Sequence, residues 1–327
     1  MIIGTDLRSW LDDGAGQRRS RTGTDAFATT WNEGPHHHAF AAAMAACGGR
    51  DAEAVAAAIR SRFEDEAWVR DLIDSLAAAL RRDRFFEPPF RHMNSDIHRG
   101  LVVYEDEYAS IAIGVTDIHQ LAAKKSARSG RGSINFSGHV ELLKFVKAGG
   151  ARLAFWAAPP ITESFSAATA GRCVRAGERP IADGEILQVD GRCESFVIAH
   201  AAANLFVLQA TVKTDCAPVG VEYDKATGDY VGCSAADDSA SRIQMITTLL
   251  RKLGCEAAFP AIADFLDHPS FFVRWHVMRE LLGLDAGAAL PHLKRMAARD
   301  PHPETRRAAR TALDRIAAAP RTQRKAA

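Results

Sequence analysis

A period of 32 residues in the last quarter of the chain constrains this sequence more than any other feature. Arg242, Arg274 and Arg306 are spaced by 32 residues, as are Leu249, Leu281 and Leu313, while Met245, Val277 and Ala309 keep the same register. The segments between them align as well: Phe259-Pro260-x-Ile262 matches Leu290-Pro291-x-Leu293, and Asp267-His268-Pro269 corresponds loosely to Arg299-Asp300-Pro301. A fixed period of this length marks one supersecondary unit, which cannot bury its apolar face alone and must stack on its neighbours. Each unit reads as helix, proline-marked turn, helix, so residues 236–318 are expected to be a short helical array.

The remaining text divides by pattern. Residues 1–34 carry Gly14, Gly16, Gly23 and Gly34 among Arg18, Arg19 and Arg21 without a sustained apolar period, and are expected to be a flexible arm. Residues 35–99 contain two helical patterns. Asp51 is placed to cap a segment with Val55, Ile59 and Phe63 on one face, and Trp68, Leu72, Ile73, Leu76 and Leu80 line a second, before Pro88-Pro89 ends the helical text. From 100 to 235 short apolar runs alternate with turns: Leu101–Tyr104, Tyr108–Val115, Arg152–Trp156, Ile186–Val189, Ser195–Ala199, Leu205–Val212 and Val219–Tyr223. Seven such runs predict a β-sandwich or barrel, with His139–Ala148 as a helix within it. Residues 319–327 are expected to be a disordered basic tail. The fold class is therefore α+β and multi-domain, with a helical N-terminal segment, a β-rich middle and a helical repeat at the end.

Two resemblances sharpen this. The run Asp300-Pro301-His302-Pro303-Glu304-Thr305-Arg306-Arg307-Ala308-Ala309 followed by Leu313 resembles the HEAT-like repeats of phycobilin-lyase-type and other bacterial α-solenoid proteins. That resemblance implies stacked antiparallel helix pairs and a binding surface. The run Gly177–Asp190, with Asp183-Gly184-Glu185 before an apolar strand, resembles a cupin turn and strand, which implies a jelly roll over 100–235.

Charge separates along the chain. The formal net charge is +1, yet Ser239–Ala327 carries 15 basic and 8 acidic residues against 26 and 32 before it. This net +7 segment, the helical array together with its basic tail, favours an acidic protein partner through Arg274, Arg279, Arg295, Arg299, Arg306, Arg307 and Arg310, with nucleic acid as an alternative. For Arg274 and Arg306 the recurrence itself favours a repeated structural bond, with Asp267 and Asp300 as partners. If a site lies inside the β region, His98, His119 and His200 are its candidates, in an enzyme or a small-molecule binder. No catalytic motif is complete. No cofactor is expected; a divalent metal in the β region is the alternative, imidazole being a ligand for Zn, Cu, Ni or Fe. No run reaches the ~18 apolar residues of a membrane helix, no secretory signal stands at the start, and six cysteines without a Cys-x-x-Cys suggest reduced thiols, so a cytoplasmic interaction or regulatory protein is the leading expectation.

Overall fold

Asp51 does cap a helix, its carboxylate accepting from the Ala54 amide at 2.7 Å. In the computed structural model, which describes residues 5–48, 51–95, 97–127, 132–236 and 238–318, five helices come first: α1 (Thr5–Asp12), α2 (Gly14–Asn32), α3 (Pro35–Cys47), α4 (Ala52–Glu64) and α5 (Ala67–Arg82). The strands and one helix follow: β1 (Arg91–Asn94), β2 (His98–Glu105), β3 (Ala109–Thr116), α6 (Ile118–Ala127), β4 (Ser133–Phe136), β5 (Val140–Lys147), β6 (Arg152–Ala157), β7 (Val174–Pro180), β8 (Ile186–Asp190), β9 (Glu194–His200), β10 (Leu205–Val212), β11 (Val219–Asp224) and β12 (Tyr230–Ala235). The chain ends in α7 (Asp238–Lys252), α8 (Phe259–Ala263) between two 3₁₀ turns, α9 (Phe271–Leu284), α10 (Ala286–Arg299) and α11 (Pro303–Ala318). The expected tail at 319–327 lies outside the described residues.

The chain forms two units, one holding residues up to Ile134 with His139–Ala157 and Val174–Cys216, the other Asn135–Gly138, Ala158–Cys173 and everything from Ala217 on. The expected boundary at 235 thus falls inside the second unit. Helices α1–α5 fall in the same unit as the six-stranded sheet.

In the first unit the order β1-β2-β3-β10-β5-β8 makes one antiparallel sheet and β7-β6-β9 another. The pairings are nested: β3 with β10, β5 with β8, β6 with β7. Such nesting is what a long hairpin wrapped over two sheets produces, the jelly roll of the cupins among others. The fourth nested pair, β4 with β9, is missing, because β4 joins β11 and β12 in a separate sheet.

Each face of the six-stranded sheet is covered. Leu143, Phe145, Leu153, Val189 and Leu205, drawn from both sheets, pack together between them. On the other face Val103, Ile111, Val140, Leu142, Leu208 and Val212 meet Phe40, Val55, Ile59, Phe63, Trp68 and Leu72 of the helices. Double coverage explains one correction: His139–Ala148, read as a helix, is strand β5. Its alternate residues are apolar on both sides, and a strand buried on both faces loses the period of two that would reveal it. Lys144 lies on the helix side, 4% exposed, donating to the Phe63 carbonyl at 2.6 Å and pairing with Glu66 at 2.7 Å. A cation thereby satisfies the carbonyl end of α4, where the helix dipole favours it.

The segment 1–34, expected to be a flexible arm, is largely helical over its described residues, as α1 and α2. Asp13 caps α2 through Gly16 N–H, and Trp31, buried, donates its indole N–H to the Val103 carbonyl at 2.9 Å. Gly16 and Gly23 of α2 line a cavity together with Ser75, Ala78 and Ala79 of α5.

In the second unit Phe136, Val219, Val221 and Tyr223 pack under the β11–β12 hairpin, and the Tyr223 hydroxyl donates to the Ala170 carbonyl at 2.7 Å. Val273, Val277, Met278, Leu281, Leu293 and Ala309 form the core of the helical array.

Candidate functional site

The proline-marked turns of the array are built by arginine. Arg274, one turn into α9, folds back so that Nη1 donates to the His268 and Pro269 carbonyls at 2.8 and 2.7 Å. Its Nε and Nη2 donate to the two carboxylate oxygens of Asp300 at 2.9 and 2.8 Å, and Asp300 also accepts from the His302 amide at 2.8 Å. Arg306 repeats half of this device 32 residues later, with Nη1 donating to the Asp300 and Pro301 carbonyls at 2.6 and 2.9 Å. The carbonyls of each turn are thus satisfied by the arginine of the following helix, and in one turn the arginine clamps the next turn's carboxylate as well. Arg274 is 5% and Asp300 6% exposed. Arg274 therefore belongs to the interior and not to a binding surface, as the recurrence argument favoured; its carboxylate is Asp300, while Asp267 lies 3.8 Å from Arg295.

Above that buried pair a cleft of about 360 Å³ opens, lined by Asp267, His268, Pro269, His292, Arg295, Arg299 and Pro301. The pair beneath is internally neutral. Arg295 and Arg299 stand one turn apart on α10, both exposed, and Arg299 has no partner among the described residues. Arg279 and Arg307 are exposed too, Arg307 lying 3.4 Å from Glu304, while Arg310 donates its Nε to the Ala297 carbonyl at 3.1 Å. The basic residues named from the sequence thus separate into those bonded to backbone or buried carboxylate, Arg274, Arg306 and the exposed Arg310, and exposed ones without such bonds, Arg279, Arg295, Arg299 and Arg307. Residues 233–314 match HEAT repeats.

The first unit holds the larger cavity, about 1070 Å³, along α2 and α5. Trp10, Phe27, Trp31, Leu72, Phe85 and Phe86 make its apolar surface, with Trp10 stacked on Phe85 at 4.9 Å. Gly16, Ser20 and Gly23 on α2 and Ser75, Ala78 and Ala79 on α5 keep the helices' facing sides small. At the rim Arg19 pairs with Asp13 at 3.4 Å, and His36 Nε2 shares a hydrogen bond with Asp71 at 2.8 Å. Gly16 N–H holds the Asp13 carboxyl below its usual range, and burial holds neighbouring His37 below the usual imidazole value. Sequence reasoning missed this groove; its one signal was the helical spacing of Gly16, Ser20, Gly23, Phe27 and Trp31.

The barrel histidines do not converge. His98, on β2, shares a hydrogen bond with Thr116 of β3 at 2.9 Å; His119 is exposed on α6; His200 ends β9 opposite Arg152 in the other sheet. Among the described residues no group of three or more His, Cys, Asp or Glu side chains is arranged to hold a metal ion. No helix among them is long and apolar enough to cross a membrane.

No curated protein matches the sequence significantly. Similar solved structures include ectoine synthase from P. lautus, at 10% identity over 37% of this chain and 68% of that one with a TM-score of 0.23. A sugar phosphate isomerase of the cupin superfamily from Silicibacter pomeroyi is 10% identical over 44% of this chain and 79% of its own, with a TM-score of 0.24. A 7S globulin of Momordica charantia is 12% identical over 42% and 36%, with a TM-score of 0.25. The jelly-roll assignment rests on the nested strand pairing, not on these neighbours.

Proposed function

We propose that this protein is a cytoplasmic interaction scaffold whose HEAT-repeat cleft receives the carboxylate side chains of an acidic partner. The observation that carries the reading is the placement of Arg299, without a partner among the described residues, beside Arg295, whose one ion pair is a 3.8 Å contact with the exposed Asp267, over a buried Arg274–Asp300 pair. Two guanidinium groups one helical turn apart suit bidentate carboxylate recognition, and a net +7 segment speeds encounter with an acidic surface. No disulfide joins any of the six cysteines, which fits a reducing compartment.

A labelled Glu-rich 12-residue peptide tests it by fluorescence anisotropy. Arg295→Glu with Arg299→Glu should weaken binding at least about tenfold, roughly 1.4 kcal/mol. Equal affinity in that variant removes the reading, and tighter binding of an oligonucleotide with a steep salt slope transfers it to nucleic acid.

The groove between α2 and α5 supports a second reading, a binder of a compact apolar ligand, with the site in the helices and not inside the barrel. Stoichiometric binding of an anilinonaphthalene dye, abolished by Gly23→Phe in a folded protein, is the expected result. Unchanged dye binding in that variant rejects it.

A further inference from the structure

The repeat register makes α7 anomalous. Val277 and Leu281 of α9 are 0% exposed, and Ala309 of α11 is 0% exposed, whereas their counterparts Met245 and Leu249 are 67% and 55% exposed. Ile246 at 56%, and Leu253 at 70% in the turn that caps α7, its amide bonded to the Leu249 carbonyl at 2.9 Å, extend the same face. Positions 242, 245, 246, 249 and 253 fall in one stripe of a 3.6-residue helix, about 16 Å long at 1.5 Å per residue.

The opposite side of α7 is fully engaged. Ala240 and Thr247 are buried, Thr248 Oγ1 donates to Glu280 Oε1 at 3.2 Å, and Arg251 pairs with the same carboxylate. In α9 the corresponding positions are closed by helices before and after it in the array; α7 has α9 on one side and solvent on the other. Four apolar side chains exposed to this degree present roughly 400 Å² on one helix face, within the size range that marks interaction sites on monomers.

Charge narrows the occupant. Arg242 and Lys252 flank the stripe and are exposed, and beyond its first residue α7 carries no acidic residue. The register also explains why Arg242 stays outward: Asp300, the carboxylate that Arg274 clamps, is replaced 32 residues earlier by His268. We propose that this face docks an amphipathic helix of a partner protein, with apolar residues at i, i+3/i+4 and i+7 and acidic flanks, which takes the place of the helix preceding α7 in the stack. The proposal rests on the scaffold reading but uses a different surface from the Arg295–Arg299 cleft.

The test uses the full chain and an 18-residue designed helical peptide with a Leu stripe and Glu flanks, beside a twin with Lys flanks. The Glu peptide should bind at least tenfold better than the Lys twin. Met245→Glu with Leu249→Glu, both already exposed and so compatible with folding, should abolish binding, while Arg242→Glu with Lys252→Glu should invert the preference. Arg295→Glu with Arg299→Glu should leave it unchanged, which separates failure of this proposal from failure of the cleft. Absence of binding, or binding indifferent to the α7 variants, overturns it. Self-association in sedimentation that Met245→Glu with Leu249→Glu removes also overturns it, by assigning the face to a second copy of the chain.

Discussion

Removing the guanidinium of Arg274 is expected to be the most damaging single change in the helical array. Arg274→Met keeps the side-chain stem but deletes both charge-assisted bonds to Asp300 and both bonds to the turn carbonyls. It leaves a carboxylate only 6% exposed without its cation. Breaking a buried pair in this way costs about 3–5 kcal/mol, because the remaining charge is neither hydrated nor compensated. Arg306→Met loses bonds to two backbone carbonyls but strands no charge, so about 1–2 kcal/mol is expected. Asp300→Asn keeps an acceptor for the His302 amide while removing the charge, and combined with Arg274→Met it should cost less than the two singles added, with a coupling above about 1.5 kcal/mol. Urea unfolding followed by circular dichroism at 222 nm reads all four. For an array of this size each kcal/mol shifts the melting temperature by about 4–8 °C, so Arg274→Met should lower its transition by more than about 12 °C. A cost below about 1 kcal/mol for Arg274→Met, or equal costs for Arg274→Met and Arg306→Met, refutes the argument that the buried charge sets the magnitude.

Three further outcomes follow from the structure. A Cβ added at Gly23 meets nothing within 4 Å, so Gly23→Ala should raise stability by about 0.5–1 kcal/mol in urea titration, whereas at Gly228, with φ +75° and the Cys173 carbonyl 2.4 Å from such a Cβ, Gly228→Ala should lower it by more than about 1 kcal/mol. The Arg192 guanidinium, bonded to both Asp190 oxygens at 2.8 and 2.9 Å, holds that carboxyl below its usual value. Its contribution is therefore present above the ordinary carboxylate pKa of 3.8 and disappears as pH falls below it, so the urea midpoint of the wild type should drop more between pH 5 and pH 2.5 than that of Asp190→Asn, measured over the same interval. Cys233 is exposed, while Cys173 is buried and its thiol is pushed up by that burial, so a thiol reagent at pH 8 should label Cys233 first and Cys173 only after unfolding, as peptide mapping would show.

Local pattern was enough for much of this architecture. The 32-residue register, the Asp51 cap, the helices around Val55–Phe63 and Trp68–Leu80, and seven of the ten described strands from β2 to β11 follow from period, capping and turn chemistry, which depend on residues a few positions apart; β4, β5 and β7 did not show that pattern. Even the structural use of Arg274 and Arg306 was visible as recurrence, because each bonds the turn five or six residues before it. What tertiary structure decided are pairings between distant residues. Whether Arg274 faces a partner or the interior depends on Asp300, 26 residues away, and β4 chooses β11 over β9. β5 became a strand because α4 and the second sheet cover its two faces, which erases the alternation that a one-sided strand would show. α2 is a helix because Trp31 reaches Val103, 72 residues on, a contact no helical propensity of its glycines could announce. The groove beside it and the bare face of α7 arise in the same way: a cavity or an unpaired surface is defined by what does not pack against it, which only the assembled tertiary structure reveals.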